Sequence, residues 1–152
     1  MKKNKNIKVL LVDDEVAFVN TLAQRLRMRK LLADTVYDGE QALSYIKQVE
    51  PDVIVLDLKM PGLHGIEVLR EIKKIKREIQ VIILTGHGTD KDEEEARKLG
   101  GFDFLRKPAD IDLLLAKIKE AFSDKLARFM TAIAFAQEGD LDEATKIIKK
   151  EQ

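Results

Sequence analysis

The chain has 152 residues, enough for one ordinary domain and a short appendage. Lysine plus arginine equals aspartate plus glutamate, 27 each, which leaves no net field to draw in DNA or an acidic membrane. The absence of cysteine excludes disulfides and thiolate zinc sites, and 45% hydrophobic residues allow a full core beneath a surface rich in charge.

Met1 to Asn6 reads as a basic, solvated tail. The apolar run at residues 7–12 follows, too short for a secretory h-region or a membrane span, so a cytoplasmic protein is expected. Strand-like runs recur at 33–37, 53–57, 81–85 and 102–105. The first, third and fourth runs are almost wholly aliphatic without polar alternation, as in strands buried on both faces of a parallel sheet. Helical patterns fill the gaps at 16–29, 40–49, 65–76 and 91–99, with another at 111–122. In the first, Val16, Val19, Leu22, Ala23 and Leu26 share a stripe. Alternating strands and helices with short loops predict an α/β fold, a doubly wound five-stranded parallel sheet. The expected order is 2-1-3-4-5, flavodoxin-like, because acids ending strands 1 and 3 must be neighbours.

After Phe122 the pattern becomes all-helical. Leu126, Phe129, Met130, Ile133 and Gln137 fall on one side, Gly139 stops the helix, and Asp140 to Glu143 reads as a capping box opening a second short helix. Whether one helix runs from 111 to 137 or breaks at Ser123-Asp124 is left open. The expected division is residues 1–122 as the domain and 123–152 as a helical extension.

Asp13-Asp14 closes the first strand run, Asp57 the third and Lys107-Pro108 the fifth. Carboxyl ends of strands are where open α/β sheets place their ligand crevice. Three converging carboxylates raise one another's pKa unless a cation joins them. A donor set of oxygens alone favours Mg2+ over zinc.

These residues are where the chain resembles the receiver domain of bacterial two-component response regulators. The likeness spans roughly residues 7 to 122. It is carried by Val12-Asp13-Asp14-Glu15, Leu56-Asp57-Leu58-Lys59-Met60-Pro61-Gly62, Ile83-Leu84-Thr85-Gly86 and Leu105-Arg106-Lys107-Pro108. The sheet order above is also the family's own, so the two expectations are not independent. The resemblance implies that Asp57 is the nucleophile, accepting a phosphoryl group from a histidine kinase or phosphotransfer protein. It implies Mg2+ held by Asp13, Asp14, Asp57 and the backbone carbonyl of Lys59, and Lys107 paired to a phosphoryl oxygen. A cis peptide before Pro108 would aim Lys107 into the pocket. Thr85 is the switch hydroxyl and Phe104 the switch aromatic, remodelling the face of the fourth helix, fifth strand and fifth helix. The Lys59 and His87 side chains are candidates for tuning hydrolysis of the acyl phosphate. Gly100-Gly101-Phe102 departs from the family's Gly-Ala-Asp.

The extension, with five basic and six acidic residues, has no recognition helix, so direct DNA binding is not expected. Phe135 to Ala144 resembles half of a tetratricopeptide-type repeat, and one such pair cannot stand alone. The expected function is a phospho-acceptor switch without an attached output domain, signalling to a downstream protein. The alternative is a pseudo-receiver, a constitutive interaction module. A homodimer through the switch face or the C-terminal helices is open. A phosphohydrolase would want an acid where Lys59 stands, so slow self-dephosphorylation and no enzyme activity are expected.

Overall fold

The computed structural model describes residues 7–149, so the Met1 to Asn6 tail and the last three residues of the extension lie outside the described residues. Five strands form one parallel sheet in the order β2-β1-β3-β4-β5. They are β1 (Lys8–Val12), β2 (Leu32–Val36), β3 (Val53–Leu56), β4 (Gln80–Thr85) and β5 (Asp103–Arg106). The helices are α1 (Val16–Met28), α2 (Gly39–Gln48), α3 (Gly65–Ile75), α4 (Asp90–Lys98), α5 (Ile111–Gln137) and α6 (Leu141–Lys149). The predicted elements are all present, shifted by a residue or so at their ends.

Alternation along each strand splits the core in two. Leu10, Val12, Ile54, Leu56, Val81 and Ile83 pack with residues of α2, α3 and α4. Val9, Leu11, Val53, Val55, Ile82 and Leu84 pack with α1 and α5 on the other face. A strand buried on both sides has no polar face to show, which is why these runs read as continuous apolar segments. On α1, Val19, Leu22, Ala23 and Leu26 are buried as expected, but Val16 lies 48% exposed. It sits in the first turn, at the sheet's edge, where the stripe has nothing to cover it.

Local chemistry sets the helix starts. Asp38 caps α2 by accepting the Gln41 N–H, so Gly39 opens a helix rather than filling a turn. Thr89 and Asp92 form a reciprocal capping box on α4, and Asp90, Asp92 and Glu93 complement its dipole. At the sheet's edge, Asp103 accepts from Arg97 at 3.1 Å and pairs with Lys117 at 3.0 Å. Burial raises its carboxyl, but the Phe104 N–H and these two cations outweigh that and hold it below the usual aspartate value. A depressed folded pKa gives stability that is present above the unfolded value and lost as pH falls through the folded one. Asp103→Asn should therefore lower the melting temperature at neutral pH. The gap to the parent should close in melts taken below about pH 4.

α5 runs unbroken for 27 residues, past Ser123-Asp124. Gln80, buried at the start of β4, donates its amide to the Ala121 carbonyl at 2.9 Å and to Asp124 Oδ2 at 3.1 Å. Lys125 reaches Asp52 at 3.0 Å, and Asp52 accepts the Lys8 N–H. Asp124 bonds Gln80 and Arg128 rather than a backbone N–H, so no new helix starts there. Gly139, at φ 86°, ends α5, and α6 folds back beside it with Ala132 and Ala144 buried. Asp140 Oδ1 accepts the Glu143 N–H, one arm of the expected box. Leu126, Met130 and Ile133 remain exposed. Among the described residues, no helix is long and apolar enough to cross a membrane.

Candidate functional site: an acidic pocket at the carboxyl edge of the sheet

Strand register builds the pocket. Val12 pairs with Leu56, and the Asp57 N–H donates to the Val12 carbonyl at 2.9 Å, so Asp13 and Asp57 emerge side by side. The side chains of Asp13, Asp14 and Asp57 offer ligand oxygens that all lie within 4.8 Å of one another. Asp13 and Asp57 are buried, at 4% and 3% exposure, and Asp14 is the most open of the three. Asp57 Oδ1 accepts the Leu58 N–H at 2.9 Å, which fixes the carboxylate's orientation.

Lys107 enters from the end of β5. Its N–H donates to the Thr85 carbonyl, and the Lys107–Pro108 peptide is cis, as the sequence reading anticipated. The ammonium lies 2.8 Å from Asp13 Oδ2 and 3.9 Å from Asp57 Oδ2, touches Glu15 Oε1, and rests 4.5 Å from the centre of the Phe18 ring. Burial lowers the Lys107 pKa, but the bonds to Asp13 and Glu15 outweigh it and raise it overall. Asp13 is pushed up by burial more than Lys107 and the Glu15 N–H pull it down. Glu15, facing solvent, is held below its ordinary value by Lys107.

Thr85 is fully buried at the end of β4, its hydroxyl accepting the His87 N–H at 3.3 Å. Phe104, 7% exposed, already lies inward. Gly88 separates the two: a Cβ there would stand 2.5 Å from Phe104 Cζ and 2.9 Å from the Thr85 methyl. Lys59 and His87 are both exposed.

Gly65 brings the start of α3 behind Asp57, with its N–H donating to the Leu58 carbonyl at 2.8 Å. An added Cβ would sit 2.5 Å from the Asp57 carbonyl oxygen and the Leu58 Cα, both backbone atoms that cannot step aside. Gly65→Ala should cost about 3 kcal/mol in a urea melt, the upper range for overpacking.

In the sequence Glu15 stands inside a motif without a role of its own, and Phe18, Gly65 and Gly88 do not stand out. Only the acid's adjacency to Asp13-Asp14 hinted at Glu15.

A buried aspartate flanked by two acids and a lysine, at the carboxyl edge of a 2-1-3-4-5 sheet, defines a compact class of signalling domains. Residues 9–119 match the family model for the response regulator receiver domain, and the chain belongs to that family. A response regulator receiver domain protein from Clostridium thermocellum is 34% identical, with 81% of this chain and 98% of that one covered at a TM-score of 0.75. The receiver domain of NtrX from Brucella abortus is 32% identical over 76% of this chain and 98% of its own, with a TM-score of 0.71. A CheY-like receiver from Methanospirillum hungatei JF-1 shares the fold at 24% identity and a TM-score of 0.77, covering 81% of this chain and 97% of its own.

Proposed function

We propose that the chain is a phospho-acceptor of a two-component system, phosphorylated on Asp57. The observation that carries this reading is the buried Asp57 carboxylate, oriented by the Leu58 N–H beside two further acids and the Lys107 ammonium. A carboxylate oxygen of Asp57 attacks the phosphorus of a phosphohistidine in line. The new P–O bond replaces the P–N bond, whose electron pair returns to the imidazole of the kinase or phosphotransfer protein. The carboxylate form of the side chain is the one that attacks, so the step releases no proton.

The donor set fits a hard divalent cation: oxygens only, close together and short of positive charge. Asp13, Asp14, Asp57 and the Lys59 carbonyl would hold Mg2+, which when bound neutralises charge on the transferring group. Lys107 adds a charge-assisted bond to a phosphoryl oxygen. The Thr85 hydroxyl turns to donate to another, and with Phe104 inward beside it this bond fixes the α4–β5–α5 face for a downstream protein. Lys59 stands where a hydrolase would carry its second acid, so the chain is a substrate and switch with slow self-dephosphorylation rather than an enzyme. We read it as a cytoplasmic protein that does not itself bind DNA.

The test is intact mass after incubation with acetyl phosphate and Mg2+. One phosphoryl adduct per chain, absent when EDTA is present, supports the reading. No adduct from acetyl phosphate or from a phosphorylated kinase domain would make the chain a constitutive interaction module.

A further inference from the structure

We propose that Glu15 is a positioning residue that holds the Lys107 ammonium away from Asp57 and competes with the phosphoryl group for it. The inference rests on the receiver reading above and concerns how that site is kept at rest.

Glu15 occupies the N-cap of α1, yet its side chain makes no capping bond. Its own N–H donates to Asp13 Oδ1 at 2.9 Å, and its carboxylate reaches 92 residues along the chain to Lys107. The lysine side chain is 14% exposed and the glutamate 62%, so the acid pulls from the solvent side while Asp57 waits in the interior. Glu15 and Asp13 both lie within bonding range of the ammonium; Asp57, at 3.9 Å, lies beyond it. The Phe18 ring under the ammonium further steadies this position.

Two consequences of opposite sign follow. When a divalent cation takes Asp13, Lys107 must let go of that carboxylate, and Glu15 is the acceptor that remains for it. Glu15 therefore assists metal binding. When Asp57 carries a phosphoryl group, Lys107 must turn toward it and give up Glu15. Glu15 therefore opposes the phosphorylated state.

The experiment measures Mg2+ alone, and then fluoroberyllate with Mg2+ as a phosphoryl mimic, by calorimetry on the full chain. Glu15→Gln should weaken Mg2+ and tighten fluoroberyllate at saturating Mg2+ by about two- to fivefold, the range expected for a partly exposed ion pair. Glu15→Asp keeps the charge but shortens the reach, and should tighten the mimic as glutamine does. In a Lys107→Gln background the effect of Glu15→Gln on the mimic should vanish. An aspartate variant that behaves like the parent, or a glutamine effect that persists without Lys107, would reduce Glu15 to a diffuse negative charge and overturn the proposal. So would unchanged or weaker binding of the mimic by Glu15→Gln. A parent that binds no fluoroberyllate and takes no adduct overturns the receiver reading itself. A parent that does both, with an inert Glu15, sinks only the present inference.

Discussion

Replacing Asp57 by asparagine is expected to abolish the metal-dependent phosphoryl adduct, a loss of at least roughly a thousandfold, or about 4 kcal/mol of transition-state stabilisation. The substitution is nearly isosteric, and an amide oxygen can still accept the Leu58 N–H that now bonds Oδ1. What it removes is the carboxylate nucleophile and the most distant of the three acidic contacts to Lys107, at 3.9 Å. Folding is therefore retained while chemistry is lost. Intact mass of the two proteins side by side decides the point. A persistent Mg2+-dependent adduct on the asparagine variant would move the acceptor to Asp13 or Asp14, the remaining carboxylates of the pocket.

The second large effect concerns stability. With the metal removed, three carboxylates share a space in which their oxygens lie within 4.8 Å. A pair of unit charges that close repels by about 3 kcal/mol at an effective dielectric of 20, and Lys107 offsets only part of the sum. Asp57→Asn should raise the melting temperature of the metal-free protein by a few degrees, equivalent to about 1–2 kcal/mol. Asp13→Asn should gain less. It relieves a carboxyl that burial disfavours, but it also takes from Lys107 an acceptor at 2.8 Å. In both variants the gain on adding Mg2+ should be lost; in the parent it is about 1.4 kcal/mol at tenfold excess over Kd. Thermal melts with EDTA and with Mg2+ measure both quantities. Variants that melt like the parent in both buffers would remove the idea of a strained anionic pocket.

The parts of this molecule that the sequence disclosed are those governed by local rules. Burial of β1, β3 and β4 on both faces wrote itself as uninterrupted aliphatic runs, and from those runs the sheet and the strand-end acids followed. Hidden features depend on residues far apart in the chain. Nothing near Ser123 tells whether α5 breaks there; the answer lies in Gln80, 41 residues before Ala121. The Glu15–Lys107 contact spans 92 residues, and an acid at a helix start reads by default as a dipole partner. Gly65 and Gly88 matter only for the atoms a Cβ would strike, and no pattern in one chain announces those atoms. The sequence places Leu126, Phe129, Met130, Ile133 and Gln137 on one side of the helix but does not tell which side α6 takes. Leu126, Met130 and Ile133 stay exposed, while Ala132 and Ala144 are buried where α5 and α6 meet.

The grip of Gln80 on α5 bears on how the extension can behave. The helix is about 40 Å long and bolted to β4 where it leaves the sheet, so it has no hinge between Ala121 and Lys125. A protein that grasped the hairpin of α5 and α6 would be held on a fixed bearing to the sheet, like a pennant on a mast rather than a float on a line. The bolt and the buried hydroxyl of Thr85 are opposite ends of a single six-residue strand, about 16 Å apart. Anything carried on the mast is thereby referenced to the same piece of backbone that borders Asp57.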